Sequence, residues 1–458
     1  MLPAGVAAGH PATSDAGLEI LEDGGSAADA AVAACLASCV AETVMTGLLG
    51  GGHAIHVDGA TGRTRNLDFF VTVPSGEGGP MRDLQVPFGA ELVHYAIGPA
   101  SCAVPGVPAG LGALWEAHGR LPWPRLVEPA LRLARDGVEL PPAHAACLAM
   151  VAPVYTLDEG ARIFAPGGRL LAAGERLEQP GLARALELLA AEGAASAYAG
   201  TIAEALVALC RARGGAVTAG DLAGYEARWA APAEVGFRGR RVLTRTGLSG
   251  VPETLGALPP LDGASETERV LALVAVLAGG VERSGDTTNL VTADRDGNVC
   301  VLTTSLGLGS GDYLPGLDLQ LNSMLGEAEL LLGPLEPGAR MGSMMAPTVA
   351  LDTDGPALAI GAAGGSRLRT ALVGCADGIL REGLEPQAAV DRPRFHPVER
   401  VLHAEPGVDG DALAALGRQG WEVREWPDRH HYFGGVSLIA RGGAAGDPRR
   451  SGSARACP

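Results

Sequence analysis

The chain has 458 residues, a net charge of −17, 47% hydrophobic residues and only 4% aromatic ones. That apolar content excludes a disordered chain, and the acidic balance repels phosphates and argues against a nucleic-acid partner. The length exceeds what one simple core usually holds, so two or three small domains or one large layered one are expected.

No uncharged apolar run reaches the roughly 18 residues of a membrane span. The start, MLPAGVAAGHPATSD, lacks the cationic head and long apolar core of a signal peptide. A cytoplasmic protein without membrane association is expected. The spacing predicts a helix over residues 14–22, capped by Ser or Asp and stopped at Gly24-Gly25. Ser26 opens a second, Ala-rich helix to about Cys39, whose small side chains suit packing on a sheet. Gly50-Gly51-Gly52 precedes an apolar strand over 54–57. Lacking a following helix and a Lys-Ser/Thr pair, it reads as close backbone approach rather than a phosphate cradle. Residues 66–73 read as a strand, 74–86 as a loop and 98–108 as irregular. Helices are expected over 109–117 and 126–136, and most of 141–227 looks helical. Strand pattern returns over 234–246, and 266–277 reads as a helix.

Two strand-like runs, 289–293 and 299–304, flank Asp294-Arg295-Asp296-Gly297-Asn298, a hairpin turn in which Gly and Asn accept positive φ cheaply. Adjacent threonines, Thr287 and Thr288, head the first strand, and Thr303, Thr304 and Ser305 end the second. If the bond before Thr287 is cut, the new α-amine lies within reach of the residue's own hydroxyl. One residue then supplies nucleophile and base, with a base titrating near about 7.7. The bland alternative is that both threonines are β-branched filler. Further on, 358–363 reads as a strand that ends in Gly364-Gly365 and a helix reaching Leu380. Strand–Gly-Gly–helix is a tight turn that can also present N–H groups to an oxyanion. Strands over 422–425 and 435–440 and a loose tail from 441 complete the chain. Helices flanking antiparallel sheets in two halves that meet near residue 286 predict a layered α+β architecture. The eight cysteines contain no Cys-x-x-Cys, and Cys35 and Cys39 read as buried free thiols. His430 and His431 would point to opposite faces of a strand, so neither they nor His10, His53 and His56 are expected to hold a metal.

Taken together, these residues resemble the γ-glutamyltransferase (glutathione hydrolase) family over most of the chain. The resemblance rests on SDAGLEIL from Ser14, GGSAADAAV from Gly24, Glu42, Gly50-Gly-Gly-His53, and Gly119-Arg-Leu-Pro through Gly137. It continues through Thr287-Thr288 with Asp296-Gly-Asn298, Met344-Met-Ala-Pro-Thr348, Gly364-Gly-Ser-Arg367, Pro393-Arg-Phe-His396 and Asp447-Pro-Arg-Arg450. It implies an N-terminal-nucleophile hydrolase, a four-layer αββα sandwich that cuts itself between Asp286 and Thr287. A large subunit, 1–286, and a small subunit, 287–458, would remain intertwined, and a homodimer is a further option. Thr287 would then attack the amide of glutathione or a related γ-glutamyl compound, and water or an amine acceptor would release the acyl group without a cofactor. Thr287, Ser305, Gly364 and Gly365 match the catalytic set, Gly364 and Gly365 as the oxyanion-hole pair. Ser343, Ser323 and Phe70 fall at the substrate.

The chain departs from the family at the glutamyl clamp. The arginine that follows the family's Asp-Phe pair is Phe70 here, and a phenyl ring cannot form the bidentate grip of a guanidinium on a carboxylate. Met344 replaces one of two adjacent serines, and the α-amine carboxylate falls near Gly326. Glu327 or Glu329 is a candidate substitute for the carboxylate, and Arg82 or Arg340 for the arginine. Three functions stay open: γ-glutamyl hydrolase or transferase, an acylase of the same fold with a less polar acyl group, and an unprocessed homologue that only binds.

Overall fold

The computed structural model describes residues 1–88, 91–278, 287–331 and 333–457. Two antiparallel sheets dominate. The first has seven strands in the order Ser453–Ala456, Gly5–Ala8, Thr288–Ala293, Val299–Ser305, Gly51–Val57, Thr64–Phe69 and Arg228–Ala230. The second has six, in the order Gly443–Gly446, Gly435–Ala440, Gly355–Ala363, Thr348–Asp352, Arg240–Thr244 and Ala233–Phe237.

Side-chain alternation along each strand decides what packs where. Ile55, Val291 and Val301 of the first sheet share an apolar cluster with Val349, Ala359 and Ile439 of the second. The opposite parity, Leu67, Leu290 and Leu302, packs with Leu36 of the helix Ala27–Ala41 and with Leu111 and Leu126 of Val107–His118 and Trp123–Asp136. On the second sheet, Leu358, Ile360 and Leu438 pack with Leu273 of Glu266–Leu277 and Leu372 of Arg367–Leu380. Every residue of Ala27–Ala41 is buried, which accounts for its small side chains: a helix enclosed on all sides presents no polar face to water. Ser26 caps it, and the Asp29 carboxylate in return accepts the Ser26 N–H.

Several local expectations change. The first helix is Pro11–Glu22 and starts from His10, whose ring accepts the Ala12 N–H. Arg82–Phe88, expected in part as loop, is a strand that pairs antiparallel with Glu91–Ile97. A short helix, Val251–Ala257, had no strong pattern. Residues 441–458 are not a loose tail: Gly443–Gly446 and Ser453–Ala456 each join one of the main sheets. Among the described residues no helix is long and apolar enough to cross a membrane.

Candidate active site

The hairpin forms as expected, with Thr288 opposite Thr304 and Val291 opposite Val301. Asp294 builds its turn by accepting the Asp296 and Asn298 N–H groups. Thr287 is the residue just ahead of the first strand and is buried. It shares parity with Val291, while Ser305 shares parity with Val301, so the sheet alternation directs both toward the space between the sheets.

Thr287 and Ser305 line one pocket of about 330 Å³. Its other polar walls are Ser343, Glu327 and Gly365; its apolar walls are Phe70, Met324, Leu330, Met344, Met345 and Leu368. Gly364 and Gly365 have φ of +120° and +59°, conformations that favour glycine. Their carbonyls accept the Arg367 and Leu368 N–H groups, so the turn runs directly into the helix Arg367–Leu380. A Cβ on Gly364 would lie 2.9 Å from the Gly434 Cα. The strand–Gly-Gly–helix unit therefore brings a helix N-terminus to the pocket of Thr287, an arrangement suited to developing negative charge.

The expected substrate residues divide. Phe70 and Ser343 line the Thr287 pocket, whereas Ser323 does not. The Ser323 hydroxyl instead accepts the Leu308 and Gly309 N–H groups and pins the segment after Ser305. Of the substitute groups, Glu327 lines the pocket and accepts the Leu308 N–H at 3.2 Å, while Glu329 does not line it. Arg82 and Arg340 do not line it either. Arg340 is held by the Phe70 carbonyl, by the Tyr225 hydroxyl at 2.7 Å and by Asp68 at 3.4 Å. No arginine, lysine or histidine is among the described residues of the pocket wall.

Two neighbours had no site role in the sequence reading, although His53 stood there in the Gly50–His53 landmark. Arg245 donates to the Ser343 and Met345 carbonyls behind the wall, and burial moves its pKa down to about 10. It carries no motif to reveal it. His53 stacks on Phe70, and burial first, then Arg245 and Arg340, push its pKa well below the usual range. Among the described residues no group of three or more His, Cys, Asp or Glu is placed to hold a metal.

A second cavity, about 300 Å³, touches Thr287 and is lined by Glu42, Thr288, His144 and Arg450 among others. Glu42 accepts the Thr13 hydroxyl at 2.7 Å and the Thr288 hydroxyl. Burial raises its pKa to about 7, while those two hydroxyls and the Arg450 charge pull it down. Burial lowers His144 to about 3, and its Nε2 bonds the Arg450 carbonyl. Arg450 is fixed by the expected terminal motif: Asp447 accepts the Val436 and Arg449 N–H groups, and Arg449 pairs with Glu405.

Residues 13–276 and 262–457 match the family model described as gamma-glutamyltranspeptidase. The acylase ACY 1 proenzyme of Pseudomonas sp. strain SE83 is 29% identical over 95% of this chain and 89% of its own length. The glutathione hydrolase proenzyme of Bacillus subtilis strain 168 is 26% identical over 96% of this chain and 90% of its own length. Among solved structures, cephalosporin acylase from Bacillus halodurans superposes with a TM-score of 0.84 at 24% identity, covering 100% of this chain and 96% of that one, a likeness in fold. The chain belongs to the gamma-glutamyltranspeptidase family.

Proposed function

We propose that this chain is a self-processing amidohydrolase and acyltransferase whose nucleophile is Thr287. The observation that carries the reading is the convergence of Thr287, Ser305 and Gly365 on one pocket at the end of the central hairpin. In this reading the fold is a four-layer αββα sandwich. The chain cuts itself between Asp286, which lies outside the described residues, and Thr287, and gives subunits of residues 1–286 and 287–458. The freed α-amine takes the proton of the Thr287 hydroxyl as the oxygen attacks the substrate amide carbon. The Gly364 and Gly365 N–H groups hold the developing oxyanion, and Ser305 lies beside the nucleophile. The proton passes to the departing amine, leaving an ester on Thr287. Water or an acceptor amine then adds to the ester and regenerates the hydroxyl.

Family membership supports γ-glutamyl amides, glutathione among them, as the acyl donors. The pocket wall favours a second reading. Six apolar residues and no cation surround the acyl site among the described residues. Such a wall suits a less polar acyl group, because a glutamyl carboxylate would lose charge-assisted hydrogen bonds worth roughly 1.5–3 kcal/mol each. A comparison of kcat/KM on γ-glutamyl and phenylacetyl anilides separates the two. A strong γ-glutamyl preference supports the first reading; little or no preference supports the second. The nucleophile itself is tested by intact mass under denaturing conditions. Two chains, the smaller starting at Thr287, are expected; one chain of 46.4 kDa would favour a protein that only binds.

A further inference from the structure

Self-cleavage poses a proton problem that turnover does not. While Thr287 is still joined to the residue before it, its nitrogen is an amide and cannot act as the base. That nitrogen must also gain a proton before it can leave. Another group has to accept the hydroxyl proton and return it.

We propose that Glu42, acting through the Thr288 hydroxyl, is the proton carrier for self-cleavage at Thr287; this rests on the reading of Thr287 as the nucleophile. Glu42, Thr287 and Thr288 line one cavity with space for a water molecule. The Thr288 hydroxyl bonds the Glu42 carboxylate, and a hydroxyl can accept one proton while it donates another. Gly9 makes this meeting possible: a Cβ there would lie 2.4 Å from Glu42 Oε2 and 3.1 Å from Thr288 Oγ1. The carboxylate is also badly placed for stability. It is buried at the C-terminal end of Ala27–Ala41, where the helix dipole disfavours negative charge.

The groups around it explain its acid–base range. Arg450 faces Glu42 across the cavity, Cys39 lies on its own helix, and His144 and Asp447 complete the ionisable wall. Burial outweighs the Arg450 charge and the two hydroxyl bonds and leaves the carboxyl near 7, where both forms coexist at neutral pH. His144, near 3 and bonded to a carbonyl, is a poor base.

The step balances. As the Thr287 oxygen bonds to the carbonyl carbon of residue 286, its proton passes through a water in the shared cavity and the Thr288 hydroxyl to the Glu42 carboxylate. The C–N bond of the tetrahedral adduct then breaks, and the proton returns from Glu42 to the departing nitrogen. An ester and a free α-amine result. Water hydrolyses the ester to a carboxyl on residue 286 and restores the Thr287 hydroxyl, with nothing oxidised or reduced.

The test uses full-length wild type, Glu42→Gln, Thr288→Val and Thr288→Ser. Conversion to two chains is followed by mass spectrometry from pH 5 to 9, and circular dichroism monitors folding. In wild type the rate should rise with pH and level off above about 7. Glu42→Gln should lose that dependence and slow by about 10²-fold or more, the usual scale of acid–base assistance. Thr288→Val should slow as well, and Thr288→Ser should recover. If Glu42→Gln does not fold, the Val–Ser contrast decides alone. Wild-type cleavage ahead of Thr287 with an unchanged rate and pH profile in Glu42→Gln overturns the carrier and spares the nucleophile, as does equal slowing in Val and Ser. A wild type that never cleaves there overturns both.

Discussion

The two cavities that meet at Thr287 are built from opposite materials. One is walled by Phe70, four other apolar side chains of the Met and Leu type and Leu368, with Glu327 as its carboxyl-bearing member. The other holds Glu42, Arg450, Asp447 and His144 around a pair of threonines. Both are nearly the same size, so volume does not distinguish them; dielectric and proton-bearing groups do. As an acyl site the apolar side would select by shape and by what it refuses to solvate. In the proposed mechanism the polar side would handle charge and protons next to the Thr287 backbone.

The strongest way to break this division is to remove what the cavities share. Thr287→Ala is expected to leave a single chain and to cut amide turnover by about 10⁴-fold or more, as for other nucleophile deletions; mass spectrometry and a γ-glutamyl anilide assay check both. Gly364→Ala disturbs the turn between strand and helix, since its φ is +120° and Gly434 stands 2.9 Å from the new Cβ. A shift of the oxyanion donors should lower kcat about 10²-fold with a smaller change in KM. Phe70→Arg sharpens the contrast on the apolar side. It should raise preference for γ-glutamyl over phenylacetyl anilide by about ten- to a hundredfold, the worth of one or two charged hydrogen bonds, and lower the melting temperature because the site is buried.

The smallest effect belongs to the polar side. The Glu42 carboxyl sits at about 7 in the folded chain against an ordinary 4.5. A raised folded-state value means that its contribution to stability is full below about 4.5 and is lost as pH rises through 7. The span corresponds to at most roughly 3–4 kcal/mol. In a Thr287→Ala background, where both proteins stay uncut, Glu42→Gln should gain a few degrees in melting temperature on wild-type Glu42 between pH 5 and pH 8.

What the sequence disclosed follows the range of each interaction. The hairpin around Asp294–Asn298 and the helix begun by Ser26 and Asp29 are set by neighbours a few residues apart, and both form as expected. Gly364-Gly365 was readable because positive φ leaves few alternatives to glycine. The strands within residues 441–458 were not, because their partners lie far away: Ser453–Ala456 pairs with Gly5–Ala8. The paired strands Arg82–Phe88 and Glu91–Ile97 were obscured by Pro and Gly on their approach. Glu42 was visible as a family landmark, but its bond to Thr288 spans 246 positions and has no local trace. Arg245 is the same case, a cation whose partners are carbonyls about 100 residues on.

Gly5–Ala8 lies between Thr288–Ala293 on one side and Ser453–Ala456 on the other. A cut ahead of Thr287 would make that strand a guest from one polypeptide, zipped along both edges into another. Neither product could be peeled away without opening these two ladders and those of Gly51–Val57 with Val299–Ser305 and Arg240–Thr244 with Thr348–Asp352, so the cut molecule would travel as one particle under native conditions. Denaturation would erase that advantage. The uncut chain can refold at a rate independent of its concentration, whereas the cut one must first find its missing half. Processing would thus turn a reversible fold into one whose recovery depends on dilution, leaving the enzyme durable while folded and expendable once lost.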